Sequence, residues 1–353
     1  MIRVTGTSLL AAGLLVACAS APPVVEEPID ALYAEHRHQG RYYNPWAPFT
    51  PSWMGLIKAY LRPNPYAGAP ELPVPRRALS LKQLTPPPAP QISWLGHATT
   101  LIQAGGSAIV TDPHLTERAL IYRRQSAPAL AAEQLATLPE LKLALISHNH
   151  YDHLDADTVA ALPADLNWLV PAGLGAWFRA RGRHRVHALD WWQQVRVDGW
   201  LATCVPLQHW SSRIGMGRDT SLWCGWLLER DELRVLFVGD SGYFHGFAEI
   251  GRRFGPIDVA ILPIGAYAPR DFLGYQHMDP AQAWQATQDL QARYLIPVHW
   301  GAFDFSQEPL AEPPQELMRQ VRAAGGDPRR AVVLPVGGQW RLPADAERSE
   351  RPR

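Results

Sequence analysis

Residues 141–153 read LKLALISHNHYDH, and this stretch decides both the fold and the chemistry of the chain. The run from Leu141 to Ile146 is apolar, as expected of a short buried strand. Four candidate metal ligands follow it in what we call the histidine loop: His148, His150, Asp152 and His153. Imidazole nitrogens and a carboxylate suit zinc or a similar divalent ion, and one loop can hold all four together. A solvated turn is the alternative, and ligands elsewhere in the chain decide between the two.

Three further candidate ligands each follow a strand-like segment: His209, Asp240 and His299. Taken alone, each is typical of a capped or solvated strand end, but their recurrence with the histidine loop favours a shared metal site. Seven ligands are too many for one tetrahedral zinc ion, whereas they suit two ions with one bridging carboxylate. We therefore predict two zinc ions, or two similar divalent transition metals, as cofactors.

The order of predicted elements indicates an α/β fold with two sheets and helices outside them. From residue 91 onward, three short apolar runs separated by glycine-containing turns predict a β-meander. A helix is predicted over residues 155–162, with Asp155 as its N-cap and Pro163 ending it. Further strands are predicted over residues 168–170, 186–189, 201–205, 222–228, 234–238, 259–262, 294–298 and 332–334. Further helices are predicted over residues 175–181, 247–253, 280–291 and 314–324.

The composition of the chain suits a large neutral globular protein. The chain has 353 residues, 47% of them hydrophobic, with 33 Lys+Arg and 33 Asp+Glu. The absence of net charge implies no general attraction to nucleic acid. Many of the 33 prolines precede residue 91. We predict that residues 41–90 form an extended aromatic-rich segment packed on the main domain, residues 91–343, and that residues 344–353 form a disordered tail.

Residues 1–17 are predicted to be a secretory signal peptide. Arg3 supplies its positive end, and residues 9–17 form an apolar stretch too short to span a membrane. The sequence LVAC at residues 15–18 resembles the lipobox of bacterial lipoproteins. That resemblance implies a lipidated Cys18, a tether over residues 18–40, and a membrane anchor in the bacterial cell envelope on the periplasmic or outer side. A plain signal peptide cut near Ala17 is the alternative.

Two other cysteines, Cys204 and Cys224, lie in strand-like apolar runs. An oxidising compartment permits a disulfide, but buried free thiols are the expected state. A disulfide between Cys204 and Cys224 stays the alternative.

The ligand pattern also indicates a family. The histidine loop, followed by His209, Asp240 and His299, resembles the metallo-β-lactamase superfamily. Six segments narrow the resemblance to the N-acyl-phosphatidylethanolamine-hydrolysing phospholipases D. They are ISHNHYDHL (146–154), LDWW (189–192), QHW (208–210), GDSGY (239–243), PIGAY (263–267) and YQHMDP (275–280). The resemblance runs from about Tyr42 to Pro335 and includes NPW at residues 44–46.

This resemblance implies the αβ/βα sandwich of that superfamily, in which helices flank two mixed β-sheets. It also implies how the ligands divide between two zinc ions. The first ion would have three ligands of its own, His148, His150 and His209. The second would have three others, Asp152, His153 and His299. Asp240 would bridge both.

The implied reaction is hydrolysis of a phosphodiester by a metal-bridging hydroxide. An N-acyl-phosphatidylethanolamine, or a related phospholipid, would yield phosphatidic acid and an N-acylethanolamine. Asp240 and His277 would be catalytic, because Asp240 would orient the hydroxide and His277 would hydrogen-bond the phosphate or protonate the leaving group. Tyr151 and His277 would contact the substrate. The implied partners are a phospholipid and, through the anchor, a membrane; whether two chains form a homodimer stays undecided.

Two other functions stay open. One is a different hydrolase of the same superfamily, such as a lactonase or an enzyme for small phosphoesters, which would have a closed polar pocket. The other is an envelope lipoprotein that binds lipid and retains metals without efficient catalysis.

Three features have two interpretations each. Asp112 either orients a ligand histidine or is an ordinary turn aspartate before Pro113. His277 either contacts substrate or only precedes a helix. Aromatic and apolar residues between positions 46 and 61 either pack on the core or dock onto lipid. They are Trp46, Phe49, Trp53, Met54, Leu56, Ile57, Tyr60 and Leu61.

Overall fold

The computed structural model describes residues 28–49, 54, 58 and 61–343. The predicted signal peptide, the lipidation site Cys18 and the C-terminal tail lie outside these residues. So do Trp53, Leu56, Ile57 and Tyr60 of the aromatic-rich segment. No helix within the described residues is both long and apolar enough to cross a membrane.

The strands and helices of the described residues are numbered in chain order. The strands are β1 (Arg37–His38), β2 (Arg41–Tyr42), β3 (Gln91–Gly96), β4 (Thr99–Ala104), β5 (Ser107–Thr111), β6 (Arg118–Ala119), β7 (Tyr122–Arg123), β8 (Leu141–Leu145), β9 (Asn167–Pro171), β10 (Val186–Leu189), β11 (Gln194–Val197), β12 (Trp200–Val205), β13 (Ser212–Arg213), β14 (Gly217–Arg218), β15 (Gly225–Arg230), β16 (Leu233–Phe237), β17 (Ile257–Pro263), β18 (Ala292–Val298) and β19 (Gln339–Arg341). The helices are α1 (Pro28–Ala31), α2 (Ala132–Ala136), α3 (Ala156–Ala161), α4 (Gly175–Arg179), α5 (Gly246–Phe254), α6 (Arg270–Leu273), α7 (Pro280–Asp289) and α8 (Pro313–Ala323).

Two large mixed sheets form the framework. The first has the spatial order β10-β9-β8-β5-β4-β3-β19, in which β10, β9, β8 and β5 are parallel and the other pairs antiparallel. The second has the order β11-β12-β15-β16-β17-β18, in which β16, β17 and β18 are parallel and the other pairs antiparallel. Helices flank the sheets, so the predicted αβ/βα sandwich is confirmed.

Strand β8, which leads into the histidine loop, is covered on both faces. Leu143 and Leu145 lie in the core that strands of both sheets share. Ala144 and Ile146 belong to a second cluster, which side chains of helices α2, α3 and α4 cover. This alternation follows from the two-residue period of a strand. Burial of both faces explains the near-continuous apolar run, and each fully buried leucine contributes about 2 kcal/mol to folding.

Most of the predicted strands and helices are present, and the exceptions have a physical reason. Residues 332–334 are not a strand, since only isolated bridges flank them and Pro335 has no N–H to extend a ladder. Strands β11 and β19 escape prediction because QVRV and QWR are polar edge strands, where one face needs no apolar residues.

Cys204 and Cys224 are both buried free thiols, which confirms the expected state. Burial raises the pKa of the Cys224 thiol well above its ordinary value. The reactive thiolate is therefore disfavoured at this position.

Candidate metal centre

Four strand ends deliver the predicted ligands to one edge of the two sheets. The histidine loop follows β8, His209 follows β12, Asp240 follows β16 and His299 follows β18. The loops beyond the C-terminal ends of such strands are the usual place for a site in an α/β fold. The histidine loop also folds back on itself, because the His150 carbonyl accepts hydrogen bonds from the amides of His153 and Leu154.

The first group of ligand atoms consists of three imidazole nitrogens. Nδ1 of His150 lies 2.8 Å from Nε2 of His148 and 3.3 Å from Nε2 of His209. Oδ2 of Asp240 stands 4.0 Å from the His148 nitrogen and 3.9 Å from the His209 nitrogen. These are the residues that the resemblance assigns to the first zinc ion.

The second group combines two imidazoles with a carboxylate. Oδ2 of Asp152 lies 3.2 Å from Nε2 of His153 and 3.3 Å from Nε2 of His299. The two oxygens of Asp240 approach the same nitrogens, each at 3.1 Å. Asp240 therefore stands between the two groups, in the position that a bridging ligand requires.

This geometry fits metal ions. Ligand atoms around a tetrahedral zinc ion lie about 3.3 Å apart, given bonds of about 2.0 Å. Nε2 of His153 and Oδ1 of Asp240 are buried, and their contacts at 3.1 Å with Oδ2 of Asp240 and Nε2 of His299 lack hydrogen-bond geometry. A buried polar atom without a well-formed hydrogen bond is unfavourable. A cation between them would satisfy both atoms.

The imidazoles of the first group are neutral. Burial lowers the pKa of His150 and of His209 to about 3, and it holds the pKa of His148 well below its ordinary value. A neutral imidazole has the free lone pair that a metal ion needs. The first group is thus ready to bind a cation without losing protons.

The second group has the opposite electrostatics. Burial opposes protonation of His153, but the charges of Asp240 and Asp152 raise its pKa well above the ordinary value. The pKa of His299 rises to about 9, again against burial, because Asp240 and Asp152 lie beside it. Protons on these imidazoles balance the carboxylates, and a divalent ion would supply that positive charge in their place.

Asp112 orients a ligand, which confirms one of its two interpretations. Its Oδ2 lies 2.6 Å from Nδ1 of His153, so Nε2 of that ring is turned toward the second group. The amide and the hydroxyl of Ser147 donate to the same carboxylate at 2.7 and 2.6 Å. Gly239 has a φ of +68°, and a Cβ there would lie 2.3 Å from the Cβ of Ser147. This glycine allows the strand that carries Asp240 to pass close to the histidine loop.

The comparisons with known proteins agree with this centre. A family model described as the beta-lactamase superfamily domain matches residues 107–300. The chain belongs to the metallo-β-lactamase superfamily. Membership makes it a metal-dependent hydrolase with a His/Asp cluster able to bind metal.

Three relatives of this superfamily member are informative. An uncharacterized protein of Mycobacterium tuberculosis is 38% identical over 262 residues, which is 70% of this chain and 67% of the relative. N-acyl-phosphatidylethanolamine-hydrolyzing phospholipase D 1 of Caenorhabditis elegans is 34% identical over 268 residues, 70% of this chain and 74% of the relative. The solved structure of Igni18, a metallo hydrolase from Ignicoccus hospitalis, has a TM-score of 0.57 at 21% identity and covers 72% of this chain and 99% of its own. The last likeness concerns the fold alone.

His97 belongs to the metal-dependent hydrolase centre, although the sequence assigned it no role. Its Nε2 lies 2.9 Å from Oδ2 of Asp152. Its carbonyl accepts hydrogen bonds from the His299 amide, at 3.0 Å, and from Nε1 of Trp94, at 2.8 Å. Its φ of +54° is rare for a residue other than glycine. The sequence signal that could have indicated a role for His97 is its position directly after Gly96 at a strand end.

The two predicted substrate contacts lie beside the ligands. Nδ1 of His277 is 3.8 Å from Oδ2 of Asp240 and has no hydrogen-bond partner among the described residues. Burial lowers the pKa of His277 to about 3. Tyr151 is half-buried, and its ring lies 4.2 Å below the guanidinium of Arg213. Contact of either side chain with a substrate stays a prediction.

The N-terminal segment reaches the same loops. Nδ2 of Asn44 donates to the His209 carbonyl at 2.9 Å, and Nε1 of Trp46 donates to Oε1 of Gln208 at 3.0 Å. Phe49 stacks on Tyr275 with ring centroids 4.5 Å apart. The described part of the aromatic-rich segment thus packs against residues that adjoin the metal centre.

Replacing Asp112 by asparagine should weaken metal binding in the second group. The asparagine amide would present a donor to Nδ1–H of His153 or force a change of tautomer, and loss of such a partner typically lowers metal affinity about 10–100-fold. Competition with a chromophoric chelator measures this affinity. Asp165→Asn, at an exposed position, is the control and should bind metal normally. Equal affinities for both variants would contradict the orienting role of Asp112.

Proposed function

We propose that this metal-dependent hydrolase is a zinc-dependent phosphodiesterase of the phospholipase D type. Its substrate would be an N-acyl-phosphatidylethanolamine or a related phospholipid, cleaved to phosphatidic acid and an N-acylethanolamine. The observation that carries the proposal is the pair of ligand groups that share Asp240, with His277 at their side. The activity for which the worm relative is named, at 34% identity, supports the choice of substrate.

The chain's own residues suit a phosphodiester centre. Two bound divalent ions would lower the pKa of a shared water molecule and neutralise the charge on phosphoryl oxygens. His148, His150 and His209 would hold one ion, and Asp152, His153 and His299 the other. Asp240 would set their separation, because its oxygens face both groups. His277 would donate a hydrogen bond to a phosphoryl oxygen or to the leaving oxygen.

A cavity beside the first group has aromatic walls that would suit the apolar part of a lipid. Its volume is about 130 Å³, and it is bordered by aromatic residues that include Tyr42, Phe49, Trp210 and Tyr275 and by polar residues that include His38, Arg41 and Asp219. Aromatic rings of this kind bury acyl or glycerol carbons at little entropic cost. A lactonase or small phosphoester enzyme would be expected to have a closed polar pocket at this place.

Oxygen-18 water tests the bond that is cleaved. Hydrolysis at phosphorus should place the label in the phosphate of phosphatidic acid, measured by mass spectrometry of the products from N-acyl-phosphatidylethanolamine. The chelator-treated chain is the control and should give no product. Label in a fatty-acid carboxylate beside a lyso-lipid would indicate a lipase. Label in a ring-opened lactone, with the phospholipid untouched, would favour the lactonase alternative.

We also propose that the mature protein is held in the bacterial envelope by acyl chains on Cys18. Replacing Cys18 by serine should release the protein from membranes or block its processing, because each buried methylene contributes about 0.8 kcal/mol to anchoring. Membrane fractionation and mass spectrometry of the N-terminus measure both outcomes, and Ser20→Ala is the control. A wild-type protein that is soluble, with an unmodified N-terminus, would rule out the anchor and leave the catalytic proposal intact.

A further inference from the structure

Two short hairpins carry exposed apolar side chains. Leu120 and Ile121 form the turn between β6 and β7 and are each 49% exposed. Ile214, at the start of the turn between β13 and β14, is 77% exposed, the highest value of any large apolar side chain among the described residues. We call Leu120, Ile121 and Ile214 the apolar tips.

The conformation of the turn does not explain why a leucine occupies position 120. Leu120 has a φ of +55°, in the left-handed region that two-residue hairpin turns normally fill with asparagine, aspartate or glycine. For other L-residues this conformation brings Cβ too close to the following carbonyl oxygen. A leucine at this position is therefore disfavoured by the turn and gains no full burial in return.

Positive charge borders the same tip. Arg118 and Arg123 lie directly opposite each other across β6 and β7, and both are exposed. Like charges in this arrangement destabilise a hairpin. Glu117 lies 3.7 Å from Arg123 and balances one of the two charges. Asp304 lies near Tyr122 of the same hairpin, so the tip presents two exposed arginines, not a net charge, beside two exposed apolar side chains.

Tyr151 connects both hairpins to the metal centre. Its side chain packs against a small buried cluster of Ala119, Ala302 and Phe303, against which Tyr122 of the first hairpin also packs. Its hydroxyl accepts a hydrogen bond from the Ile214 amide of the second hairpin at 3.3 Å. Tyr151 itself lies between the ligands His150 and Asp152 in the histidine loop. The apolar tips thus stand on either side of one side chain at the centre.

We propose that the apolar tips insert into a lipid–water interface that carries anionic headgroups. The inserted side chains leave water, and the arginines at the base of the first tip meet lipid phosphates of opposite charge. Docking in this orientation holds the histidine loop near the level of the phosphates, where a phospholipid presents its scissile bond. The inference rests on the phospholipid substrate proposed above, and it adds the surface by which the centre reaches that substrate.

Environment-sensitive fluorophores on single introduced cysteines test the insertion. The full chain carries Cys18→Ser, so that neither an acyl group nor a label is attached there, together with Ile214→Cys or Ile121→Cys; Cys204 and Cys224 are buried, and the Cys18→Ser chain without a new cysteine gives the background labelling. The probe is a vesicle of phosphatidylcholine and phosphatidylglycerol in equal parts, without any N-acyl lipid. Ile29→Cys is the matched control, since Ile29 is 57% exposed and lies on α1. Helix α1 lies away from the metal centre. Arg253 donates a hydrogen bond to the hydroxyl of Tyr33, just beyond α1, and Arg253 lies about two helical turns from the start of α5, which is the end of α5 near the metal edge.

Insertion predicts a blue shift of the labels at positions 214 and 121 and about 10-fold protection from an aqueous quencher, with no change at position 29. Arg118→Gln combined with Arg123→Gln should weaken this insertion about 10-fold on the anionic vesicles. Labels that stay water-exposed at positions 214 and 121, or an equal response at position 29, would overturn the docking surface. Inserted labels in a chain that leaves N-acyl phospholipid intact would overturn the proposed function and not the docking surface.

Discussion

Replacing Asp240 by alanine should lower phosphodiesterase turnover by about 1,000-fold or more, since bound metal ions contribute several kcal/mol to the transition state. The variant loses both oxygens that face the two ligand groups. It also removes the carboxylate charge that does most to raise the pKa of His153 and of His299. We therefore expect the metal content to fall below two ions per chain, as measured by elemental analysis of the purified protein.

The control for this experiment lies beyond the other end of β16. Asp231 precedes β16 at the end far from the metal centre, is exposed and has a φ of +51°, which asparagine also tolerates. Asp231→Asn should keep both the metal content and the turnover of the wild type. An Asp240→Ala variant with two bound ions and undiminished turnover would refute the bridging role of Asp240, whereas wild-type protein without bound transition metal after gentle purification would refute the two-metal interpretation.

Replacing His277 by alanine should lower turnover of the phospholipid by about 100-fold, the usual contribution of a positioned proton donor or acceptor. The metal content should stay that of the wild type, because His277 lies beside the ligand groups and is not proposed as a ligand. Steady-state kinetics with N-acyl-phosphatidylethanolamine and elemental analysis of the same preparation measure both quantities.

His184→Ala is the control for the His277 variant, because His184 is exposed and lies in the turn before β10. It should behave as the wild type. A parallel fall of metal content and turnover in His277→Ala would identify His277 as a ligand, an arrangement that its closeness to Asp240 and His299 allows. Unchanged turnover would leave only the structural interpretation, a histidine that precedes helix α7.

Most of the framework could be predicted because its signals are local. The apolar run before the histidine loop reflects a strand covered on both faces. Asp279, Pro280 and Gln282 form a capping box at the start of α7, and Asp155 caps α3. Strands β11 and β19 could not be predicted, because an exposed edge strand needs no apolar pattern.

The candidate metal ligands were predicted from sequence because they lie in loops that follow strands, and the resemblance to a known family divided them between two ions. Their partners depended on the tertiary structure. Asp112 and His153 are 41 positions apart, and nothing near either residue indicates that their side chains meet. The same holds for His97 and Asp152, which are 55 positions apart.

The sequence by itself thus determined an α/β fold with two sheets and a set of seven candidate ligands, since strand periodicity and ligand type are properties of short segments, and the family resemblance implied the sandwich. Only the tertiary structure decided which atoms face one another and which apolar side chains stay in solvent. Burial, counter-charge and backbone conformation arise from contacts between distant segments. That is why the partner of Asp112, the strained backbone of His97 and the exposed tips beside Tyr151 became visible only in the folded chain.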